Sequence, residues 1–201
     1  IRPNTRLMLL THASNVSGTV FDLSAASAFC REHGIALALD AAQTAGHVAI
    51  DLTATPIDAL CVPAHKGLRG PSGIGALILS PVFAKRLEPL VVGGTGSDSH
   101  TELQPRYLPG RFESGTPNLP GIYGLHAALD ALLAEGVSAR NDRETALLQR
   151  FLSGLDQLPG LTVPGTRDLT RRVGVVSVDC SARMDNAEVA DRLATEYGIL
   201  T

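Results

Sequence analysis

At residues 35–40 the chain reads Ile35-Ala36-Leu37-Ala38-Leu39-Asp40, a continuous apolar run that ends in a carboxylate. A run without polar alternation predicts a strand that is covered on both faces. A helical pattern from Ser24 to His33 precedes it, and a short helical piece is expected from Ala42. Further apolar runs occur at Leu7–Leu10, Ala59–Val62 and Gly75–Leu79. The alternation predicts an α/β fold with a mostly parallel sheet.

The second half of the chain has a different order of predicted helices and strands. A loop-rich region, 91–118, leads into a long helical pattern from Ile122 to about Leu155 that is broken softly at Gly136. Strand patterns at 161–163 and 172–179 and a helix from Asn186 follow, which is typical of an α+β unit. We therefore expect two parts: residues 1–135, part of a large domain, and residues 136–201, part of a smaller C-terminal domain.

The composition limits the classes of function. The chain has 201 residues, 44% of them hydrophobic, and a formal charge of −3, which excludes bulk disorder and argues against a nucleic-acid groove. No apolar run is long enough for a membrane span, so we expect a cytoplasmic protein with no membrane partner. The three cysteines have neither metal nor disulfide spacing, and we expect each to be a small buried side chain.

Polar residues follow the predicted strands, where open α/β sheets gather their ligand-binding groups. Asp40 directly follows an apolar run, so its carboxylate is expected to need a cationic or strongly donating partner. Lys66 lies in a glycine-rich turn after the run Ala59–Val62, where a desolvated amine would become a nucleophile towards carbonyls. An amine for a Schiff base and a carboxylate for a pyridine nitrogen together predict pyridoxal 5'-phosphate (PLP) as cofactor.

Five motifs in order carry a resemblance to a known family. The first two are Thr11-His12-Ala13-Ser14-Asn15-Val16-Ser17-Gly18 and Ala38-Leu39-Asp40-Ala41-Ala42-Gln43. The others are Ala64-His65-Lys66-Gly67-Leu68-Arg69-Gly70-Pro71-Ser72-Gly73, Gly93-Gly94-Thr95-Gly96-Ser97 and Arg111-Phe112-Glu113-Ser114-Gly115-Thr116-Pro117-Asn118. Together they resemble the class V aminotransferase group of fold-type I PLP enzymes, which contains the cysteine desulfurases and selenocysteine lyases.

The resemblance implies a role for each matched residue. Lys66 would be the catalytic Schiff-base lysine, and Asp40 would pair with the pyridinium. Gln43 would hydrogen-bond the cofactor's phenolic oxygen with Asn15 beside it, and His65 would help to hold the phosphate. Thr95 would reach the phosphate of a neighbouring subunit, which implies a homodimer with shared active sites. The implied reaction removes sulfur or selenium from cysteine or selenocysteine, leaves alanine, and passes sulfur to an acceptor protein.

The sequence also departs from the family pattern. Pro63 stands where the family often has a Ser or Thr that donates to the phosphate, and Pro63 has no donor. None of the three cysteines matches the family's sulfur-accepting cysteine. The substrate-binding arginine is also missing. The chain opens on a polar lead and closes as a new strand begins at Ile199, so we expect a fragment that lacks both ends.

The sequence is also compatible with other roles for these residues and for the chain. Asp40 alone could be a helix cap or part of a structural ion pair, and Lys66 could be a surface lysine. Arg111 and Glu113 could form a loop salt bridge or lie at a dimer interface. For the whole chain, one alternative is another class V enzyme, an aminotransferase or a kynureninase-like lyase. The other is a truncated chain that dimerises or regulates without catalysis.

Overall fold

A four-stranded sheet forms the centre of the computed structural model, which describes residues 1–96, 98 and 100–201. The strands are β1 (Leu7–Thr11), β2 (Ala36–Asp40), β3 (Ala59–Pro63) and β4 (Gly75–Leu79), and they lie side by side in that order. The β1–β2 and β2–β3 pairs are parallel. The prediction of an α/β fold with a mostly parallel sheet is confirmed.

The fourth strand runs antiparallel to the third. Only residues 64–74 connect the two, without a helix between them. A parallel neighbour would need a crossover of about a dozen residues or more, so this short connection turns the chain back. The turn that carries Lys66 is therefore the tip of a hairpin.

Local chemistry sets the ends of several helices in the described part of the chain. Asp22 caps α1 by accepting a hydrogen bond from the backbone N–H of Ala25, at 2.9 Å. Gly136, at φ +86°, separates α3 from α4, as the soft break in the pattern predicts. The helices are α1 (Leu23–Glu32), α2 (Pro81–Ala84), α3 (Leu119–Glu135), α4 (Val137–Leu155) and α5 (Asn186–Tyr197), with a 3₁₀ turn at Leu169–Arg171.

The core lies on both faces of β2, in agreement with its unbroken apolar run. Leu37 and Leu39 are 1% and 0% exposed. Leu39 packs in a cluster with Leu132 of α3, against which Val137 of α4 also packs. Leu37, on the same face of the strand, packs with Cys30 of α1. On the opposite face Ala36 and Ala38 pack with Phe83 of α2. Burial of Leu37 and Leu39 stabilises the sheet by about 1.5–3 kcal/mol each.

Four local predictions are wrong. Residues 42–47 form successive turns in place of a helix, with Gly46 at φ +79°. Residues 161–163 and 172–179 do not form strands: the described residues give them only isolated bridges, Thr162 to Asp179 and Thr19 to Arg172. Residues 199–201 are irregular. A strand needs a continuous neighbour, and an isolated bridge cannot supply one.

The cysteines are free thiols with different surroundings. Cys30 is 2% exposed, as expected, whereas Cys61 and Cys180 are only half-buried. Burial raises the pKa of the Cys30 thiol, and the nearby Asp58 carboxylate adds to the shift. Among the helices of the described residues, none combines the length and apolarity that a bilayer crossing requires.

Candidate active site at the carboxyl edge of the sheet

The strand register brings the predicted functional segments to one edge of the sheet. Asp40, the last residue of β2, is the pairing partner of Thr11 in β1 and of Cys61 in β3. Parallel strands end on the same side, so the turn that follows β3 leaves from the edge where Asp40 lies. The backbone N–H of His12 donates to the Asp40 carbonyl at 2.9 Å and ties β1 to this edge.

Asp40 and His65 line one cavity of about 700 Å³, here called the Asp40 cavity. Its wall also includes Cys61, Pro63 and residues 73–75. The Asp40 side chain is half-buried, and its Oδ1 accepts a hydrogen bond from the backbone N–H of Ala42 at 2.9 Å. The predicted donor is thus a peptide N–H, and no described residue forms an ion pair with Asp40. The carboxylate remains available for a cationic ligand group.

The pKa of the Cys61 thiol is shifted by its place in this cavity. Burial raises the pKa of the Cys61 thiol, and the Asp40 carboxylate raises it further because a second negative charge nearby is unfavourable. The thiol is therefore held in its neutral, protonated form more strongly than a free cysteine. On this side the Asp40 cavity presents an ionisable carboxylate beside an uncharged wall.

Lys66 lies one residue beyond His65, and both side chains are exposed. The turn is closed by two backbone hydrogen bonds of 2.8 Å, from Arg69 N–H to the Lys66 carbonyl and from Gly70 N–H to the Ala64 carbonyl. The expected desolvation of the Lys66 amine is not found, because the turn projects beyond the end of β3 and the described residues leave the amine in solvent. The backbone is ordered, whereas the side chain is solvated.

The other predicted site residues do not line the Asp40 cavity. Gln43 lines a neighbouring cavity of about 500 Å³, together with His47, Glu144 and Phe151. Asn15 is exposed in the turn after β1. Thr95 is half-buried in the long loop and lines neither of these cavities; Ser97, from the same motif, lies outside the described residues. The structure thus places Asp40 and His65 on one cavity, with Lys66 next to His65 in the turn, and the side chains of Lys66, Gln43, Asn15 and Thr95 do not line that cavity.

Three residues at the Lys66 turn were missed by the sequence analysis. Arg140 donates from Nη1 to the Gly67 carbonyl at 2.5 Å and from Nε to Glu144 at 3.1 Å. Glu144 also accepts a hydrogen bond from Nδ1 of His47 at 2.6 Å. One signal was present: Arg140 and Glu144 are spaced i, i+4 in line with Leu148 and Leu152, so the charged pair continues the buried stripe of α4.

A buried histidine, His12, also lies at this edge of the sheet. His12 is 4% exposed, and its Nδ1 lies 2.9 Å from the Thr44 hydroxyl. Burial lowers the pKa of His12, because the charged imidazolium loses hydration in the interior. Within the described residues, no three or more His, Cys, Asp or Glu side chains cluster in a way that could hold a metal ion.

The fold and the edge geometry define a class of protein: an α/β fold in which a lysine turn and a carboxylate that has no ion pair among the described residues lie at the carboxyl ends of parallel strands. The chain belongs to the aminotransferase class-V family, whose model matches residues 1–201. This agrees with the resemblance carried by the five motifs.

Several of the individual proteins that this chain resembles are cysteine desulfurases. The chain is 35% identical over 199 residues to a cysteine desulfurase from Salmonella newport, covering 94% of this chain and 48% of that protein. The apo structure of a cysteine desulfurase from Thermococcus onnurineus superposes with a TM-score of 0.87 at 31% identity, covering 97% of this chain and 48% of the other. A lysine-to-alanine mutant of C-DES, with glycine covalently linked to its PLP cofactor, gives a TM-score of 0.86 at 25% identity, over 98% of this chain and 52% of the other. The chain spans about half the length of these proteins.

Proposed function

We propose that the chain is part of a PLP-dependent enzyme of the cysteine desulfurase type, which removes sulfur from cysteine or selenium from selenocysteine and leaves alanine. The observation that carries the proposal is the Asp40 cavity, where a carboxylate without an ion pair opens beside the turn of Lys66. The similarity to cysteine desulfurases over 94% of the chain supports the choice of reaction.

The residues of the site fit the ring and the aldehyde of PLP better than its phosphate. Asp40 offers an anion for the ring nitrogen, and Lys66 offers an accessible primary amine. For the phosphate, the cavity offers the His65 side chain and backbone at residues 73–75, whereas Pro63 has no donor. We infer that part of the phosphate contacts comes from Thr95 of a second copy in a homodimer.

When bound, PLP supplies an aldehyde that condenses with amines and a ring that withdraws electrons from the substrate Cα. Asp40 would hold the proton on the ring nitrogen, since a carboxylate within hydrogen-bonding distance favours the cationic form. Lys66 Nζ would accept the proton from the substrate Cα. Gln43 and Asn15 would bind the phenolic oxygen from the adjoining turns.

The remaining assignments follow from the same proposal. The ligand is a small amino acid, and the sulfur passes to an acceptor protein. Residues 1–135 would belong to the PLP-binding domain and residues 136–201 to the smaller domain, divided at the break at Gly136. The three free thiols fit a reducing compartment such as the cytoplasm.

The two lysines of the sequence, Lys66 and Lys85, make a direct test possible. The complete gene product is incubated with PLP and reduced with borohydride, and peptide mass spectrometry locates the pyridoxyl group. We expect it on Lys66, lost in Lys66→Ala and retained in Lys85→Ala. Asp40→Ala should weaken PLP binding while Lys66 remains modified at saturating PLP. Label on Lys85, or on a lysine outside residues 1–201, in place of Lys66 would contradict the proposal, as would equal label on Lys66 and Lys85.

Turnover separates the reaction from that of other class V enzymes. With cysteine, the labelled enzyme should release alanine and transfer sulfur to a thiol. Alanine formation without sulfur transfer, or amino transfer to a keto acid, would assign the same site to a different reaction. Label at Lys66 without any turnover would point to the binding-only alternative.

A further inference from the structure

Helix α4 reaches the Lys66 turn through a buried arginine. Arg140 is 7% exposed, and its Nη1 donates to the carbonyl of Gly67, the residue that follows Lys66. The two residues are 73 positions apart in the chain. A guanidinium that is removed from water must find acceptors, and this one binds the turn with one nitrogen and Glu144 with another.

Glu144 links Arg140 to His47, and His47 also contacts the Lys66 turn. Its Oε1 accepts from Arg140, and its Oε2 accepts from Nδ1 of His47 at 2.6 Å. A carboxylate only accepts hydrogen bonds, so Nδ1 of His47 carries the proton. The His47 ring then lies against Gly67: a Cβ at residue 67 would stand 2.4 Å from the ring's Cδ2 atom.

The backbone of the turn is enclosed on a third side by residues 45 and 46. A Cβ on Gly67 would lie 2.1 Å from the Ala45 carbonyl oxygen, and a Cβ on Gly46 would lie 2.4 Å from the Gly67 carbonyl oxygen. Residues 45 and 46 continue the segment that begins at Asp40. The close approach of the two glycines therefore places the Lys66 turn against the segment that follows Asp40. Arg140 binds the turn at Gly67, and its partner Glu144 binds that segment at His47.

We propose that Arg140, oriented by Glu144, is a positioning residue for Lys66: its bond to the Gly67 carbonyl fixes the turn from which the amine reaches the Asp40 cavity. Lys66 has a long, exposed side chain, so only its backbone can limit where the amine reaches. Holding the backbone restricts the approach of the amine to an aldehyde, which is a gain in orientation. The effect on the reaction of Lys66 with PLP rests on the proposed function. The hydrogen bond from Arg140 to the turn does not depend on that function.

The test compares three variants with a control on the same helix. Arg140→Met removes every donor but keeps a long side chain, Arg140→Lys keeps a charge and a donor, and Glu144→Gln loosens the arginine. Arg143→Met is the matched control, because Arg143 is exposed on α4. All are made in the complete gene product and checked for folding by circular dichroism.

Two measurements are made on each variant. The first, without PLP, is hydrogen exchange of the peptide that contains the amides of Arg69 and Gly70, which close the turn. We expect Arg140→Met to exchange about tenfold faster or more, the effect of losing a charged hydrogen bond, with partial rescue in Arg140→Lys. The second is the ratio of borohydride-trapped PLP on Lys66 to that on Lys85, which should fall in Arg140→Met and remain unchanged in Arg143→Met.

The outcomes separate this inference from the proposed function. Normal labelling of Lys66 in the native protein, with unchanged exchange and unchanged ratio in Arg140→Met, would overturn the positioning role and leave the PLP proposal standing. Failure of the native protein to label Lys66 would reject the PLP proposal, and the exchange data would still decide whether Arg140 holds the turn. A lower melting temperature in Arg140→Met, with the exchange in the turn and the labelling ratio both unchanged, would make Arg140 merely structural and refute the inference.

Discussion

Replacing Gly67 by alanine should destabilise the protein strongly, because the space beside its Cα is already filled. The new Cβ would lie 2.1 Å from the Ala45 carbonyl oxygen and 2.4 Å from His47, whereas ordinary van der Waals contact begins at 3.4 Å. Neither neighbour moves easily. The Ala45 N–H is bonded to the Ala41 carbonyl at 2.8 Å, and Glu144 holds His47 at 2.6 Å.

The size of the expected loss in stability depends on how the structure accommodates the new methyl group. Overpacking in a closed site costs about 1–3 kcal/mol. Moving the turn to relieve it would weaken the bond from Arg140 to the Gly67 carbonyl, and a hydrogen bond to a charged group contributes about 1.5–3 kcal/mol. We therefore expect Gly67→Ala to lower the free energy of unfolding by about 3–5 kcal/mol, a large share of the total for a domain of this size.

Urea unfolding followed by far-ultraviolet circular dichroism measures this change, since the sequence has no tryptophan to serve as a fluorescence probe. The midpoint should fall with an unchanged slope. The matched control is Gly154→Ala: Gly154 lies within α4 and has no atom near its Cβ position, so this variant should gain about 0.5–1 kcal/mol of stability. A Gly67→Ala protein within about 0.5 kcal/mol of the native chain, beside a control that behaves as expected, would refute the packing argument.

Further predictions concern pH, capping and thiol reactivity. The pKa of His12 is lowered on folding, so the unfolded chain binds its proton first and stability should decline as pH falls below about 6.5, with a slope of at most about 1.4 kcal/mol per pH unit from this group. His12→Asn, which keeps a polar group near Thr44 and cannot titrate, should lose that part of the pH dependence; identical pH profiles for the two proteins would contradict the assignment. Asp185→Ala should cost about 1 kcal/mol by removing the N-cap of α5, while Asp185→Ser should retain most of the stability in thermal melts. A thiol reagent should modify Cys180 well before the buried Cys30, which should react only on unfolding; equal rates would show that α1 opens in the native state.

The fold was predictable where the signal is local. Each of the four apolar runs became a strand within one residue of its predicted ends. The expected burial on both faces holds for β2, whereas β1 and β4 are largely exposed in this chain, so that part of the prediction is wrong for them. The helix stops at Gly34 and Gly136 and the helix from Asn186 were likewise predictable, since caps and left-handed glycines act on their own neighbours. Asp40 and Lys66 could be proposed together because parallel strands end on one side.

Other features required the tertiary structure. Residues 42–47 have helical spacing, yet they form turns and approach Gly67 closely through Gly46, a contact that no local propensity contains. The expected strand at 172–179 has the right alternation but lacks a continuous neighbour among the described residues, and sequence alternation cannot supply one. Gln43 follows Asp40 by three residues, but the turns direct it to a different cavity.

The amino-acid sequence by itself determined the alternation of strands and helices and the carboxylate and amine at the strand ends, because these depend on side chains within a few positions of one another. Only the tertiary structure decided how the Lys66 turn is held. Its contact with Arg140 joins residues 73 positions apart, and the His47–Glu144 pair spans 97. Contacts at such separations depend on how whole elements pack, so a charged pair on α4 looks like an ordinary surface i, i+4 pair until the fold buries it.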